Sequence, residues 1–289
     1  MIPDTLTQGQ FATVYNFLSL VIASQAFTAL FLLIALPRVL ARYRQAITVA
    51  AIVCGIAAYH YFRIFDSFKE AFITTAVGGN GTYTQAAGVA FNEGYRYVDW
   101  LLTVPLLLVE LIAVLALTRK IQSGLLLRLI PAAALMIALG YPGEISGDNN
   151  IRGIFGLMST IPFAYILYVL FVQLSKTLVR QPQGVRKTIG NLRWLLLLSW
   201  GVYPIAYLLP ILGVGGADAW VGKQIGYSVA DIVAKAIYAL IIFQVAKMKS
   251  YSDDLVFAEN ELSKEEYDSI DLRGVSSDGR NKPLAGSVK

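Results

Sequence analysis

The chain has 289 residues, 56% of them hydrophobic and 15% charged, with a formal net charge of +5 and a mean hydropathy of +0.58. That composition is too apolar for a soluble globular domain. A single cysteine, Cys54, excludes an intrachain disulfide.

The first apolar run, 9–36, is longer than the apolar region of a signal peptide and has neither a basic stretch nor a small-residue cleavage site. It is read as a membrane span. Further apolar segments occur at 43–69, 94–117, 123–142, 151–179, 188–212 and 220–248. Each is long enough to cross a bilayer as a helix, the form that satisfies its own backbone groups there. Alternating period-2 segments of barrel type are absent. The expected fold is therefore an all-α membrane protein, a seven-transmembrane-helix bundle over 1–250 embedded in a lipid bilayer. The connection around 73–92 contains Gly78-Gly79-Asn80-Gly81 and suits a β-hairpin. Pro182-Gln183 suits a tight turn. Residues 251–289 are polar and are expected to form a disordered tail.

Orientation is set by the basic residues near the span ends. The odd connections carry Arg38, Arg42 and Arg44, then Arg119, Lys120 and Arg128, then Lys176, Arg180, Arg186, Lys187 and Arg193. The even ones carry only Lys69, Arg152 and Lys223. The N-terminus is expected outside and the C-terminus in the cytoplasm. These positions account for the positive charge without a nucleic-acid partner.

Lys235 lies inside the last apolar run, four residues after Asp231 and on the same helix face. A lysine at mid-membrane costs several kcal/mol unless paired, deprotonated or modified. Two readings are open: a structural ion pair between packed helices, or an amine that forms a Schiff base with a carbonyl ligand, with Asp231 in its counterion. The third span carries Arg96, Asp99, Thr103 and Glu110 at spacings of 3, 4 and 7, all on one face. Asp99 and Glu110 stand about 16 Å apart along the axis. Glu110, between Leu108, Val109, Leu111 and Ile112, is expected to be neutral. A neutral acid on the cytoplasmic side of a central charged cluster is what a proton donor would be. No metal cluster or phosphate loop is visible.

His60 is the only histidine; on its residues alone it reads as an interior polar group with a satisfied ring. Trp100, Trp200, Tyr203 and Tyr207 read as packing, yet Trp200, Tyr203 and Tyr207 share one helix face and could wall a slot. Pro105 and Pro204 are tolerated where kinks bend helices around a pocket. Gly156 reads equally as close helix packing.

Together these segments resemble microbial rhodopsins. RYVDWLLTVPLLLVE (96–110) is similar to the third helix of proteorhodopsins and xanthorhodopsins, WGVYPIAYLLP (200–210) to their sixth, and DIVAK (231–235) to their retinal-lysine motif. GYPGEI (140–145) and STIPFAYILY (159–168) resemble the light-driven proton pumps of the xanthorhodopsin group. The resemblance implies that Lys235 binds all-trans retinal as a protonated Schiff base. It implies Asp99 as primary counterion and proton acceptor, Asp231 as second counterion, and Thr103 as a hydrogen-bond partner in that cluster. Glu110 becomes the proton donor, Arg96 the gate of the outward path, and His60 the partner of Asp99. The resemblance also implies that Met136 and Gly140 complete the slot. Leu107 goes with green rather than blue absorption. Phe155-Gly156 fits a window onto the retinal ring at which a xanthophyll carotenoid can lie as an antenna. The implied function is a light-driven outward proton pump, an ion transporter and not an enzyme, in the cell inner membrane. A homo-oligomer is expected, a pentamer ahead of a trimer. The competing reading is a photosensory rhodopsin signalling to a partner; Glu110 argues against it, because fast reprotonation serves turnover.

Overall fold

The computed structural model describes residues 2–74 and 81–263. Seven long helices run up and down: α1 (Gln8–Ile34), α2 (Ala41–Ala71), α3 (Gly94–Val114), α4 (Arg119–Ile145), α5 (Asn149–Leu178), α6 (Gln183–Leu208) and α7 (Gly216–Asp253). All but α6 are long and apolar enough to cross a membrane by length and composition. α6 falls short because one end carries Arg186, Lys187 and Arg193 and the other is rich in aromatic residues, Trp200, Tyr203 and Tyr207. The bundle is apolar on its outside as well: Leu127 is 76% exposed and Leu198 72%, the pattern of a surface that meets lipid tails.

At one end, which we call the sheet end, three short strands form a small antiparallel sheet. β1 (Thr5–Leu6) and β2 (Phe72–Thr74) flank β3 (Tyr83–Gln85). The hairpin expected around 73–92 is present as the β2–β3 pair; most of its Gly-rich turn lies outside the described residues. The third strand comes from the N-terminus, where two residues give no period-2 signal. Thr7 then starts α1 with a reciprocal cap, accepting from Gln10 N at 3.2 Å while its own N–H donates to Gln10 Oε1 at 2.8 Å.

At the opposite, tail end the expected boundary at 250 falls inside a helix. α7 continues to Asp253 and is succeeded by a short α8 (Leu255–Glu261). Asp254 starts α8 by accepting from Phe257 N, and Arg42 and Tyr43 of α2 hold Asp253. Residues 251–253 and 255–261 are thus helical, not a disordered tail; the rest of the expected tail, 264–289, lies outside the described residues.

The apolar interior comes in two clusters. One at the sheet end gathers Phe68, Phe72, Phe91 and Trp220; the larger spans the middle and the tail end and draws on all seven long helices. Two helices are not α-helical throughout: α5 widens to π-helix over Val169–Gln173 and α7 over Ile232–Ile237, the stretch that holds Lys235.

Candidate functional site

Three buried charges meet at the centre of the bundle. Lys235 Nζ lies 2.7 Å from Asp99 Oδ2 of α3 and 2.8 Å from Asp231 Oδ1, one turn earlier on α7. All three are at most 1% exposed. A second pair of bonds fixes Asp231: Tyr61 donates to Oδ2 at 2.6 Å and Tyr203 to Oδ1 at 2.5 Å. Asp99 is less fully held, since its Oδ1 has no protein partner. The two carboxylates thus differ in kind. One is locked by phenols, and the other is bound to the amine alone.

Thr103 does reach Asp99, but through the main chain. Its hydroxyl donates to the Asp99 carbonyl at 2.8 Å, the i−4 back-bond of a hydroxyl inside a helix. The expected His60–Asp99 bond is not closed. His60 Nδ1 lies 3.0 Å from the Ile56 carbonyl of its own helix. Arg96, 1% exposed, sits toward the sheet end with its guanidinium over Tyr227 at 5.2 Å and Tyr61 at 5.8 Å.

A cavity of about 360 Å³ opens beside Lys235. Trp100, Leu107, Met136, Gly140, Trp200, Tyr203, Pro204, Tyr207 and Gly156 all line it, as the sequence suggested, with Asp231 and Lys235 at its polar end. Its walls are aromatic: Trp100 meets Tyr203 at 4.7 Å and Tyr227 at 5.5 Å between ring centroids. Phe155 does not line it. Phe155 packs toward α4, its Cβ 3.1 Å from where a side chain on Gly143 would begin, because position 155 lies one residue off the face that Gly156 presents. Gly143 and Gly156 make room for one ring. A Cβ on Gly143 would fall 1.8 Å from the Tyr207 hydroxyl, and one on Gly156 2.8 Å from Tyr207 Cε1. The cavity reaches the bundle surface past Gly153, Leu157 and Thr160, which are exposed.

On the tail side of the charge cluster Glu110 is fully buried, and neither carboxyl oxygen has a protein partner. On the sheet side lies a network the sequence did not announce. Lys223 bonds Glu93 at 2.9 Å and Glu144 at 3.2 Å, Gln224 donates to Glu93 at 3.0 Å, and Arg152 lies 3.6 Å from Glu144. Burial alone would raise Glu93; the Lys223 ammonium, aided by Arg96, outweighs it and holds the carboxyl below its usual range. Arg152 also clasps Tyr207: the Tyr207 hydroxyl donates to the Arg152 carbonyl at 2.7 Å and the guanidinium lies 5.4 Å from the ring.

Sequence reasoning missed Tyr61, Tyr97, Tyr227 and Gln25. Tyr61 shares a helix face with Cys54, Ala57, Ile64 and Phe68, and a phenol on that otherwise apolar stripe was its only signal. Gln25 carried a clearer one, an amide in the middle of a long apolar span.

The model of the bacteriorhodopsin-like protein family matches residues 13–248. The chain belongs to that family. Among its members, the green-light absorbing proteorhodopsin of Gamma-proteobacterium EBAC31A08 is 28% identical over 232 residues, 80% of this chain and 85% of that protein. Archaerhodopsin-2 of Halobacterium sp. (strain aus-2) is 31% identical over 205 residues, 71% of this chain and 73% of its own length. Two solved rhodopsin structures are more alike. Xanthorhodopsin, described as a light-driven ion pump with dual chromophore, is 44% identical with a TM-score of 0.82, covering 87% of this chain and 99% of that one. Thermophilic rhodopsin is 44% identical with a TM-score of 0.81, covering 88% and 99%. This rhodopsin is accordingly a multi-pass membrane protein.

Proposed function

We propose that the chain is a light-driven outward proton pump of the inner membrane, with all-trans retinal carried on Lys235. The observation that carries this reading is one amine with titratable acids on both sides. Asp99 contacts Lys235 Nζ, and Glu110 waits, buried and without a protein partner, on the same helix as Asp99 toward the tail end. The similarity to a light-driven ion pump at 44% identity supports a pump over a photosensor.

The residues fit retinal. A cavity of about 360 Å³ is within the range of small-ligand sites. It has the flat aromatic walls a polyene needs, and its one amine is at the polar end. When bound, retinal supplies light absorption and a photoisomerisation that changes the surroundings of the nitrogen. The chain supplies the rest. Asp231, locked by Tyr61 and Tyr203, stays an anion and balances the charge on Nζ. Asp99, with a free Oδ1, takes the proton from Nζ. Arg96 separates Asp99 from the Glu93–Lys223 network and biases the released proton toward the sheet end. Glu110 returns a proton to Nζ. With the basic connections at the tail end, the sheet end faces outward. The opening at Gly153 and Gly156 leaves surface beside the cavity for a xanthophyll antenna.

The test is illumination of cells that make the chain with retinal, in unbuffered medium. The medium should acidify, and a protonophore should abolish the change. Lys235→Ala should be colourless and inert, because among the described residues no other amine lines the cavity. A coloured protein without a light-driven pH change would leave the photosensory reading; alkalinisation would reverse the direction.

A further inference from the structure

α1 lines none of the cavity, yet it reaches the site through one side chain. Its buried residues are Val14, Leu18, Val21, Gln25 and Leu32, at spacings of 4, 3, 4 and 7, so they form one inward stripe. Four are apolar. Gln25 is 0% exposed, and its Nε2 donates to the main-chain carbonyl of Asp231 at 3.0 Å. Its Oε1 has no protein partner. A buried amide with one end unsatisfied is a poor space filler, and leucine would serve the stripe better.

The carbonyl it meets is where α7 changes character. π-helix begins at Ile232 and ends at Ile237, with Asp231 immediately before it. A wide turn adds one residue to the ladder and so rotates the remainder of the helix by about 100°. Lys235 lies inside the turn. The register of this turn therefore decides whether its amine faces Asp99 across the bundle or swings toward another helix.

We propose that Gln25 is a positioning residue for Lys235: its amide pins the Asp231 carbonyl, keeps the turn wide, and so aims the amine between Asp99 and Asp231. As a statement about the retinal-bearing nitrogen this rests on the function proposed above; as a statement about the turn it does not.

Two kinds of readout separate those levels. In the full chain without retinal, Gln25→Met keeps the length and removes the donor, while Gln25→Asn keeps the polarity and is too short to reach. Both should speed amide hydrogen exchange across 231–237 by about threefold to tenfold, the loss of one hydrogen bond. Leu18→Met, on the same stripe, should not. With retinal added, both Gln25 variants should absorb at longer wavelength than the wild type and show a smaller deuterium shift of the C=N stretch, the signature of a weaker bond from nitrogen to carboxylate. Exchange and spectra unmoved in both Gln25 variants overturn the proposal, whatever happens to the melting temperature. So does an equal change in Leu18→Met, which would make the effect one of packing. If the wild type takes up no retinal, the proposed function fails while the exchange comparison still decides whether Gln25 holds the turn.

Discussion

Glu110 shows how much a single residue decides. It lies in a wall of Leu107, Leu108, Leu111 and Ile112, all 0% exposed, and an isolated anion there would be costly. A protonated acid with no partner can release its proton only when a base appears within reach, which suits a donor to Nζ. Glu110→Gln should therefore leave the colour nearly unchanged and slow the late, reprotonating phase of the photocycle by about a hundredfold, the ordinary worth of a placed acid. Flash photolysis at neutral pH checks this, and added azide should restore the rate. An unchanged cycle would make Glu110 a structural acid. Leu107 is a second case. It lines the cavity and is fully buried, so an amide there would place a dipole beside the chromophore. The wild type should absorb green light, and Leu107→Gln should shift to shorter wavelength, because the dipole stabilises charge where it sits before excitation. A blue-absorbing wild type would show that another wall residue dominates.

At the scale of elements, the two wide turns are each met by a polar side chain from another helix. In α7 that side chain is Gln25. In α5 it is Arg193 of α6, whose Nη1 donates to the Leu170 carbonyl at 2.9 Å and to Ser175 Oγ at 2.7 Å, with its guanidinium over Phe171 at 5.4 Å. A change of ladder in an apolar medium leaves main-chain carbonyls that only a neighbour can satisfy. Arg193→Met should cost about 2 kcal/mol, since bonds from a charged donor are among the stronger ones. The fall should be visible in the melting temperature, with the absorption spectrum unmoved because Arg193 does not line the cavity. A spectral shift as large as the stability loss would tie α5 to the chromophore directly.

At the scale of the molecule, the lateral opening and the sheet-end charges share Tyr207. Gly156 and Gly143 exist for the ring of Tyr207, and Tyr207 is clasped by Arg152, which leads through Glu144 to Lys223 and Glu93. Filling the window at Gly156 must therefore displace Tyr207, whereas Gly153 has nothing within 4 Å of a new Cβ. In action spectra with an added xanthophyll, the wild type should gain blue-light pumping. Both Gly153→Trp and Gly156→Trp should lose that gain, but only Gly153→Trp should keep full green-light pumping. If no hydroxylated or ketolated xanthophyll adds activity to the wild type, Gly156 serves only the packing of Tyr207.

What the sequence determined by itself was the set of spans and most of the site. Seven apolar segments are legible because the surface that faces lipid must be predominantly apolar. Lys235, Asp231, Asp99 and Glu110 are legible because charge inside such a segment is costly enough to stand out. The slot aromatics were legible because Trp200, Tyr203 and Tyr207 keep helical spacing. Tertiary structure decided the rest. The two-residue strand β1 forms only because β3 is there to pair with it. The tail end of α7 stays helical to Asp253 where Arg42 and Tyr43 hold it. Thr103 turned its hydroxyl to the backbone, since a rotamer is set by neighbours and not by residue type; Phe155 faces away from the cavity because it stands one residue, about 100° around the helix, from Gly156. The partners of Gln25, Tyr61 and Lys223 could not be recognised in advance, even where the residue itself stood out as Gln25 does, for each acts across the bundle on a group far off in the chain. A hydrogen bond spanning 206 residues leaves no period in the sequence.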